Sequence, residues 1–443
     1  MMMVLHMAKP RLTIRGLKIA YSSKDKTSNP IVGRFFHRDL NTRLIINNLN
    51  LTVHDSEILG LVGESGSGKS VTVKSIFGMI NFFPGIIDGE IRYNDINGQE
   101  YVILNASKSK TGNSMDPHIE YIDKIHHNTI DELSSEIVES WKYDTNLNYH
   151  SYDNDQVIDK KSNVYSVINR TMSLVDNYSY KIEEVYNKFK KEGHNLRGKE
   201  ISIILQDPIT FLNPHWSIKK QLKNLIRLFP PSDRDSKMPG LNEIENWHLT
   251  KKILNELRIG SDEFLDKIPS ELSGGQAQRV MIVLSRMSVP NLLIADEPTT
   301  GLDVTLKMKV VEFFRNRAKA MIFISHDLNM VRMVSDRINI MYNGEIVENC
   351  ESKKLDNSKN HHPFTEKLSE VFFSDYKDFI SIELPDQEKL ANYPGCVYAL
   401  QGCPYVEDIC HKINPPAISI KKKKIISDIV TDDHWVKCWR FLK

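Results

Sequence analysis

The octapeptide Gly63-Glu64-Ser65-Gly66-Ser67-Gly68-Lys69-Ser70 has the spacing GxxxxGK[ST]. Glycines at these positions let backbone N–H groups turn inward toward phosphate oxygens. A helix that starts where the loop ends adds its positive pole, roughly half an elementary charge. Lys69 can reach outer phosphates as a point charge, and the Ser70 hydroxyl can ligate Mg²⁺. Far along the chain, Leu292-Leu293-Ile294-Ala295-Asp296-Glu297 reads as a buried strand ending in two carboxylates. Asp296 is placed to hold Mg²⁺, directly or through water. Glu297, one residue on, points to the other side and is a candidate general base or water-orienting group. An apolar strand ending in Asp-Glu says little alone; beside a phosphate loop it points to nucleotide hydrolysis.

Elements of particular kinds must position these groups. Residues 12–21 alternate apolar and polar and predict a strand, as do 44–53, with a polar stretch from Ser22 to Asn41 between them. EILGLVG at 57–63 is a short apolar run entering the glycine loop, and 70–80 continue as a helix, giving a strand–loop–helix unit. ISIILQDP at 201–208 restores apolar order. From 271 to 350 strands alternate with helices, near 304–318 and 328–335, which argues for a parallel sheet with helices on its faces. Residues 105 to about 180 are rich in Asn, Asp, Ser, Tyr and Lys and read as a surface insertion. Within its second half, Val164, Ile168, Val175, Ile182, Val185 and Phe189 fall near helical spacing and predict a helix around 163–191. After Glu351 the character changes again, toward an appendage that holds four of the five cysteines.

Composition narrows the setting. The 443 residues hold 58 Lys and Arg against 57 Asp and Glu, a formal balance of +1. So neutral a chain offers no global argument for nucleic acid. No apolar run is long enough to span a membrane; the best, Val280 to Ala295, is broken by Arg286 and Asn291. Met1 to Pro10 shows no long apolar segment with a small-residue cleavage site, so a secretory signal is not expected there. The expectation is a cytoplasmic protein that meets a membrane only through partners.

Leu272-Ser273-Gly274-Gly275-Gln276 precedes Asp296 by twenty residues. With it the sequence resembles the ATP-binding-cassette family, whose signature is LSGGQ. The resemblance implies an α/β fold: a P-loop NTPase cassette with a RecA-like core, an antiparallel β subdomain and a helical signature subdomain. It also implies roles. Gln206 matches the lid glutamine at Mg²⁺ and the attacking water. Gly301-Leu302-Asp303 matches the loop that crosses to a second cassette. His326 matches the switch histidine at the terminal phosphate, and Tyr21 the aromatic that stacks on adenine. Ser273 and the N–H groups of Gly274 and Gly275 open a helix and so form a second anion site. In this family that site faces ATP held by the opposite cassette.

Within the family, QDPITFLNP (206–214), ADEPTTGLDVT (295–305) and HHPFTEKL (361–368) resemble the ATPase subunits of oligopeptide and dipeptide importers. This implies an ATP- and Mg²⁺-dependent motor on the cytoplasmic face of the cell membrane. Its implied partners are a second related ATPase, usually as a heterodimer, two permeases and, indirectly, an extracellular substrate-binding protein. Nickel or other solute importers share these motifs, and a cassette ATPase outside transport is the rival reading. The organisation expected is a cassette over 12–350, interrupted at about 105–180, and a C-terminal extension over 351–443.

That extension carries Cys396, Cys403 and Cys410 at intervals of seven, and 27 residues intervene before Cys438. These spacings are too wide for the C-x₂₋₄-C knuckles of structural zinc. Four thiolates fit an iron–sulfur cluster, and zinc or packed thiols are the alternatives. Some members of the peptide-importer subfamily carry a [4Fe–4S] cluster at the matching cysteines. Cys350 matches nothing and reads as an ordinary thiol. Lys421 to Lys424 reads as a solvated run, and Trp435 and Trp439 as packing for the tail.

Overall fold

The alternating apolar residues of β1 (Leu12–Ser22) bury one face, but the parity changes along the strand: Leu12 and Ile14, then Leu17 and Ile19, are buried. A bulge causes the switch. Gly16 has φ 59°, and the register to β2 (Thr42–Val53) shifts between Ile14 and Leu17. The extra residue bends the strand and returns its apolar side chains to the same face. β2 answers with Asn48 at φ 50° between buried Ile46 and Leu49. β4 (Pro84–Asn94) answers with Gly89 at φ 102°, where a Cβ would lie 2.5 Å from the Leu17 Cα. With β5 (Glu100–Asn105) these strands form an antiparallel sheet in the order β2-β1-β4-β5. This is the expected antiparallel subdomain.

The computed structural model describes residues 10–22, 42–80, 84–106, 196–228, 243–287, 290–317, 319–356, 358–373, 393–426 and 434–442. They fall almost wholly in one compact unit, 1–105 with 193–443; a second unit, Ala106–Glu192, separates from it. The helix expected around 163–191 lies outside the described residues.

The second sheet is built on strands without alternation. β3 (Ile58–Gly63), β6 (Ile201–Ile204), β7 (Leu292–Asp296), β8 (Met321–Ile324) and β9 (Arg337–Tyr342) are nearly continuous buried apolar runs. Such runs suit parallel strands covered on both faces. They pair in parallel in the order β9-β3-β8-β7-β6. The chain reverses at Asn343-Gly344 into β10 (Glu345–Glu351), antiparallel to β9. β13 (Trp435–Val436) pairs with β10, β11 (Ile418–Ser419) with β13, and β12 (Lys424–Ile425) with β11. The tail therefore continues the main sheet, where the sequence suggested an appendage. Trp435 is buried and the Trp439 indole N–H donates to the Ile413 carbonyl at 3.1 Å, as packing residues should.

Helix α1 (Lys69–Ile76) follows the glycine loop and is shorter than the 70–80 expected. Gly78, at φ 60°, stops it: the Met79 N–H reaches back to Lys74 O and the Gly78 N–H to Ser75 O. This is the Schellman arrangement that a left-handed glycine permits. A helical group follows β6: α2 (Ile218–Leu228), α3 (Glu243–Glu256), α4 (Asp262–Asp266) and α5 (Gly274–Met287). Ile218, Leu222 and Ile226 recur at helical spacing on α2 and are buried with Leu254, Leu265, Val280 and Val283. Helices α6 (Val304–Arg317) and α7 (Leu328–Val334) alternate with β7, β8 and β9. α8 (Pro363–Phe373) and α9 (Asp408–Lys412) belong to the tail.

Candidate nucleotide-hydrolysing site

The glycine loop leaves the carboxyl end of β3, a central strand between β8 and β9. Ligands bind parallel sheets at such ends. Gly66 at φ 82° and Gly68 at φ 105° take left-handed backbone that only glycine adopts without strain. At Gly63 a Cβ would lie 2.2 Å from the Met341 carbonyl oxygen, so the loop can press against β9 only as glycine. The Gly344 N–H donates to Ser67 O at 2.9 Å and fixes the loop to the β9–β10 turn. The Lys69 ammonium curls into this cradle and donates to Gly63 O and Glu64 O, both at 2.7 Å. Burial lowers its pKa, against the opposing pull of Glu297, Asp296 and Glu64. Ser65 and Gly66 are exposed at the tip, while Ser67 is buried. Glu64 keeps one buried carboxylate oxygen without a partner, and burial raises its pKa.

Asp296 ends β7 and is buried. Burial raises its pKa; a hydrogen bond from Ser70 and the nearby Lys74 and Lys69 work against this, while Glu297 adds to it. Its Oδ1 is buried without a hydrogen-bond partner. A buried carboxylate oxygen of this kind, beside a serine hydroxyl and a phosphate loop, fits a hard oxygen-seeking cation such as Mg²⁺.

Glu297 turns the other way. Its backbone N–H donates to Ile324 O at 3.0 Å, and its φ of 52° swings the carboxylate toward the strand-end loop after β8. There Oε1 accepts the His326 backbone N–H at 2.9 Å, and Oε2 lies 2.9 Å from His326 Nδ1. Thr300 and Ser325 hydroxyls approach Oε2 at 3.4 and 3.5 Å. The His326 ring is three-quarters exposed, with a side-chain accessibility of 75%, and so is presented outward.

Lys69, Ser70, Asp296, Glu297 and His326 thus lie together at the strand ends. Gln206 stands exposed two residues beyond β6, and Tyr21 is 41% exposed at the far end of β1. Asp303 caps α6 by accepting the Leu306 N–H at 2.9 Å. At the signature, Ser273 and Gln276 cap each other: the Ser273 N–H donates to Gln276 Oε1 at 2.9 Å, and the Gln276 N–H to Ser273 Oγ at 3.3 Å. A Cβ at Gly275 would lie 2.8 Å from Gly301 O, whereas one at Gly274 would meet nothing within 4 Å. The first glycine answers to packing within the chain; the second leaves an open face. Sequence reasoning missed Thr300, Ser325 and Arg279, whose guanidinium donates to Gly275 O at 3.0 Å and Leu257 O at 3.1 Å. Thr300 and Ser325 adjoin recognised motifs, which was the available signal.

The tail cysteines gather as well. Cys396 lies within electrostatic range of Cys403 and Cys410, and Cys438 of Cys396 and Cys403. None is in a disulfide. Backbone N–H groups of Ala399 and Tyr398 point at Cys396, that of Tyr405 at Cys403 and that of Arg440 at Cys438. Burial pushes Cys396 up to about 11 and Cys438 up to about 12, so without a cation both stay protonated.

Residues 46–175 and 161–300 match a family model described as ABC transporter. The chain is 33% identical over 264 residues to the oligopeptide transport ATP-binding protein OppD of Bacillus subtilis (strain 168), covering 56% of this chain and 66% of the relative. It is 32% identical over 241 residues to the dipeptide transport ATP-binding protein DppD of Escherichia coli (strain K12), covering 51% and 68%. It is 34% identical over 256 residues to a putative peptide import ATP-binding protein of Brucella abortus (strain 2308), covering 56% and 73%. Among the described residues no helix is long and apolar enough to cross a membrane.

Proposed function

This chain belongs to the ABC transporter family, and we propose that it is the ATP-hydrolysing subunit that powers oligopeptide import through a pair of membrane permeases from their cytoplasmic side. The observation that carries the reading is the meeting of the Lys69 cradle, the Ser70–Asp296 pair and the Glu297–His326 pair at the strand ends of one sheet. The peptide substrate is supported by the relatives, which are named for oligopeptide, dipeptide and peptide transport.

In this reading Tyr21 stacks on adenine. The glycine-loop N–H groups hold the phosphates, and Lys69 exchanges its loop carbonyls for phosphate oxygens. Ser70, Asp296 and Gln206 hold Mg²⁺, which when bound neutralises charge on the phosphate oxygens. Glu297 orients a water and takes its proton as the water oxygen bonds to the γ-phosphorus. The bond to the bridging oxygen breaks and ADP leaves. His326, anchored through Nδ1 on Glu297, offers its outer nitrogen to the γ-phosphate. Ser273, Gly274, Gly275 and Gln276 meet the γ-phosphate of a nucleotide on a second, related cassette, with Asp303 crossing beside them. Gln206 and the following LNPHW segment sense the permeases.

The four tail cysteines suit a structural [4Fe–4S] cluster: Cys396, Cys403 and Cys410 lie in range of one another and Cys438 in range of Cys396 and Cys403, with backbone N–H groups directed at three of the sulfurs, and four thiolates are the donor set such a cluster takes. Purified protein without iron and without visible absorption removes the cluster from this account. The transport reading is tested by recovering the subunits that co-purify and placing them in vesicles. ATP-driven peptide uptake that stops with Glu297→Gln is the expected result. Recovery of ribosomes in place of integral membrane proteins overturns it.

A further inference from the structure

Beyond the nucleotide site and the cysteine quartet, a third cluster lies under the tail. Glu348 and Cys350 sit two residues apart on β10 and so share one face of the strand. Both are fully buried. His361 enters from the turn before α8, and His434 from the residue before β13. One donor atom from each of Glu348, Cys350, His361 and His434 lies within 4.8 Å of the other three. We propose that these four residues form a structural zinc site that clasps the C-terminal tail to the edge of the cassette sheet.

Three observations carry the proposal. The first is the donor set: one thiol, two imidazoles and one carboxylate are the ligand types of tetrahedral Zn²⁺. The second is convergence. His361 Nδ1 and His434 Nε2 both approach Glu348 Oε1, at 2.6 and 3.1 Å. Bonds of roughly 2.0–2.3 Å to one ion would set the donor atoms a little over 3 Å apart, so only small movements separate this cluster from a coordinated one. The third is the surrounding shell. The far nitrogen of His361 lies 3.3 Å from Asp356 Oδ1, and the second oxygen of Glu348 accepts the His362 N–H at 2.8 Å. Metal-bound histidines and carboxylates need such outer partners to hold their orientation.

The competing account is a buried carboxylate that accepts two imidazole N–H groups, with Cys350 as plain filling. It leaves no reason for the thiol to stand among the other three donors. The site is closed, with no open coordination position, so the expected role is structural. Its ligands come from β10, the approach to α8 and the approach to β13, so one ion would tie three separate parts of the chain together.

Full-length protein, stripped with a chelator, is titrated with Zn²⁺ while bound metal and unfolding temperature are read. We expect one zinc per chain and a rise in unfolding temperature at saturation. Cys350→Ser and His434→Gln should lose both, while Cys438→Ser, which alters the cysteine quartet and none of these four donors, should keep both. Zinc uptake abolished by Cys438→Ser but untouched by Cys350→Ser overturns the proposal, as does folded wild-type protein that takes up none. X-ray absorption of the zinc-loaded wild type decides the matter if the variants fail to fold. One sulfur with nitrogen and oxygen neighbours supports the site, and a shell of sulfur alone overturns it.

Discussion

Glu297 adopts a left-handed backbone at φ 52°, a conformation that costs a non-glycine residue about 1–3 kcal/mol. Packing that overrides this preference also aims the carboxylate at His326. Replacing it with Gln keeps the size and most of the hydrogen-bonding shape but removes the proton acceptor. ATP turnover should fall by about 10²-fold or more, while ATP binding at Lys69 persists; phosphate release and nucleotide binding measured on one preparation check both halves. The signature glycines separate local from partner roles. Gly274→Ala adds a Cβ into open space within the chain, so the unfolding temperature should hold or rise slightly, while ATP turnover falls. Gly275→Ala must displace the Gly301 backbone and should destabilise by about 1–3 kcal/mol. Thermal melts beside ATPase assays separate the two. The contiguous groups of this site were readable in the sequence because a phosphate loop needs its glycines, lysine and serine at fixed spacing. Ser325 was not, since parallel pairing of β7 with β8, not chain proximity, sets it beside Glu297; Thr300, three residues on, comes round through the turn that follows Glu297.

Arg337 shows how single elements are locked together. It opens β9, and its guanidinium donates to Glu57 at 2.6 and 3.1 Å, to Asn349 of β10 at 2.9 Å and to Thr52 O of β2 at 2.6 Å. Its side chain and that of Glu57 are only 17% and 11% exposed. Arg337→Ala leaves the nearly buried Glu57 carboxylate without its cation, held only by the His54 N–H at 2.6 Å, and should cost about 3–5 kcal/mol in a denaturant titration. Lysine at this position should recover only part of it, because an ammonium cannot reproduce the planar fork. The apolar patterns located β1–β3, β6–β9, α1, α6 and α7 but not their ends, and they did not single out β4, β5 or the helices α2–α4. The glycine at 78 closes α1 early, and the bulges at Gly16, Asn48 and Gly89 are mutual adjustments of three strands. Cys350 illustrates the same limit. In sequence it is an unremarkable thiol on an apolar strand; only the return of β13 beside β10 sets His434 near it.

At the scale of the whole molecule, the described cassette is interrupted between Asn105 and the strand pairing that resumes near Ile201. The separate unit Ala106–Glu192 coincides with the segment whose composition set it apart in the sequence. Replacing residues 107–192 with a short flexible linker should leave a folded chain whose ATP binding matches the parent, read by thermal shift with and without nucleotide. The tail, by contrast, supplies strands to the main sheet, so truncation after Glu351 should destabilise the cassette itself. The central claim concerns two molecules: a triphosphate held by Lys69 is completed by the Ser273–Gly275 corner of another cassette. The most direct measurement is sedimentation of the Glu297→Gln protein, together with its co-purifying ATPase, with and without Mg²⁺-ATP. The account predicts that nucleotide shifts the chains to a dimer, and that Ser273→Arg abolishes the shift without weakening ATP binding at Lys69. Saturated nucleotide with unchanged sedimentation, or a dimer indifferent to Ser273→Arg, would contradict it.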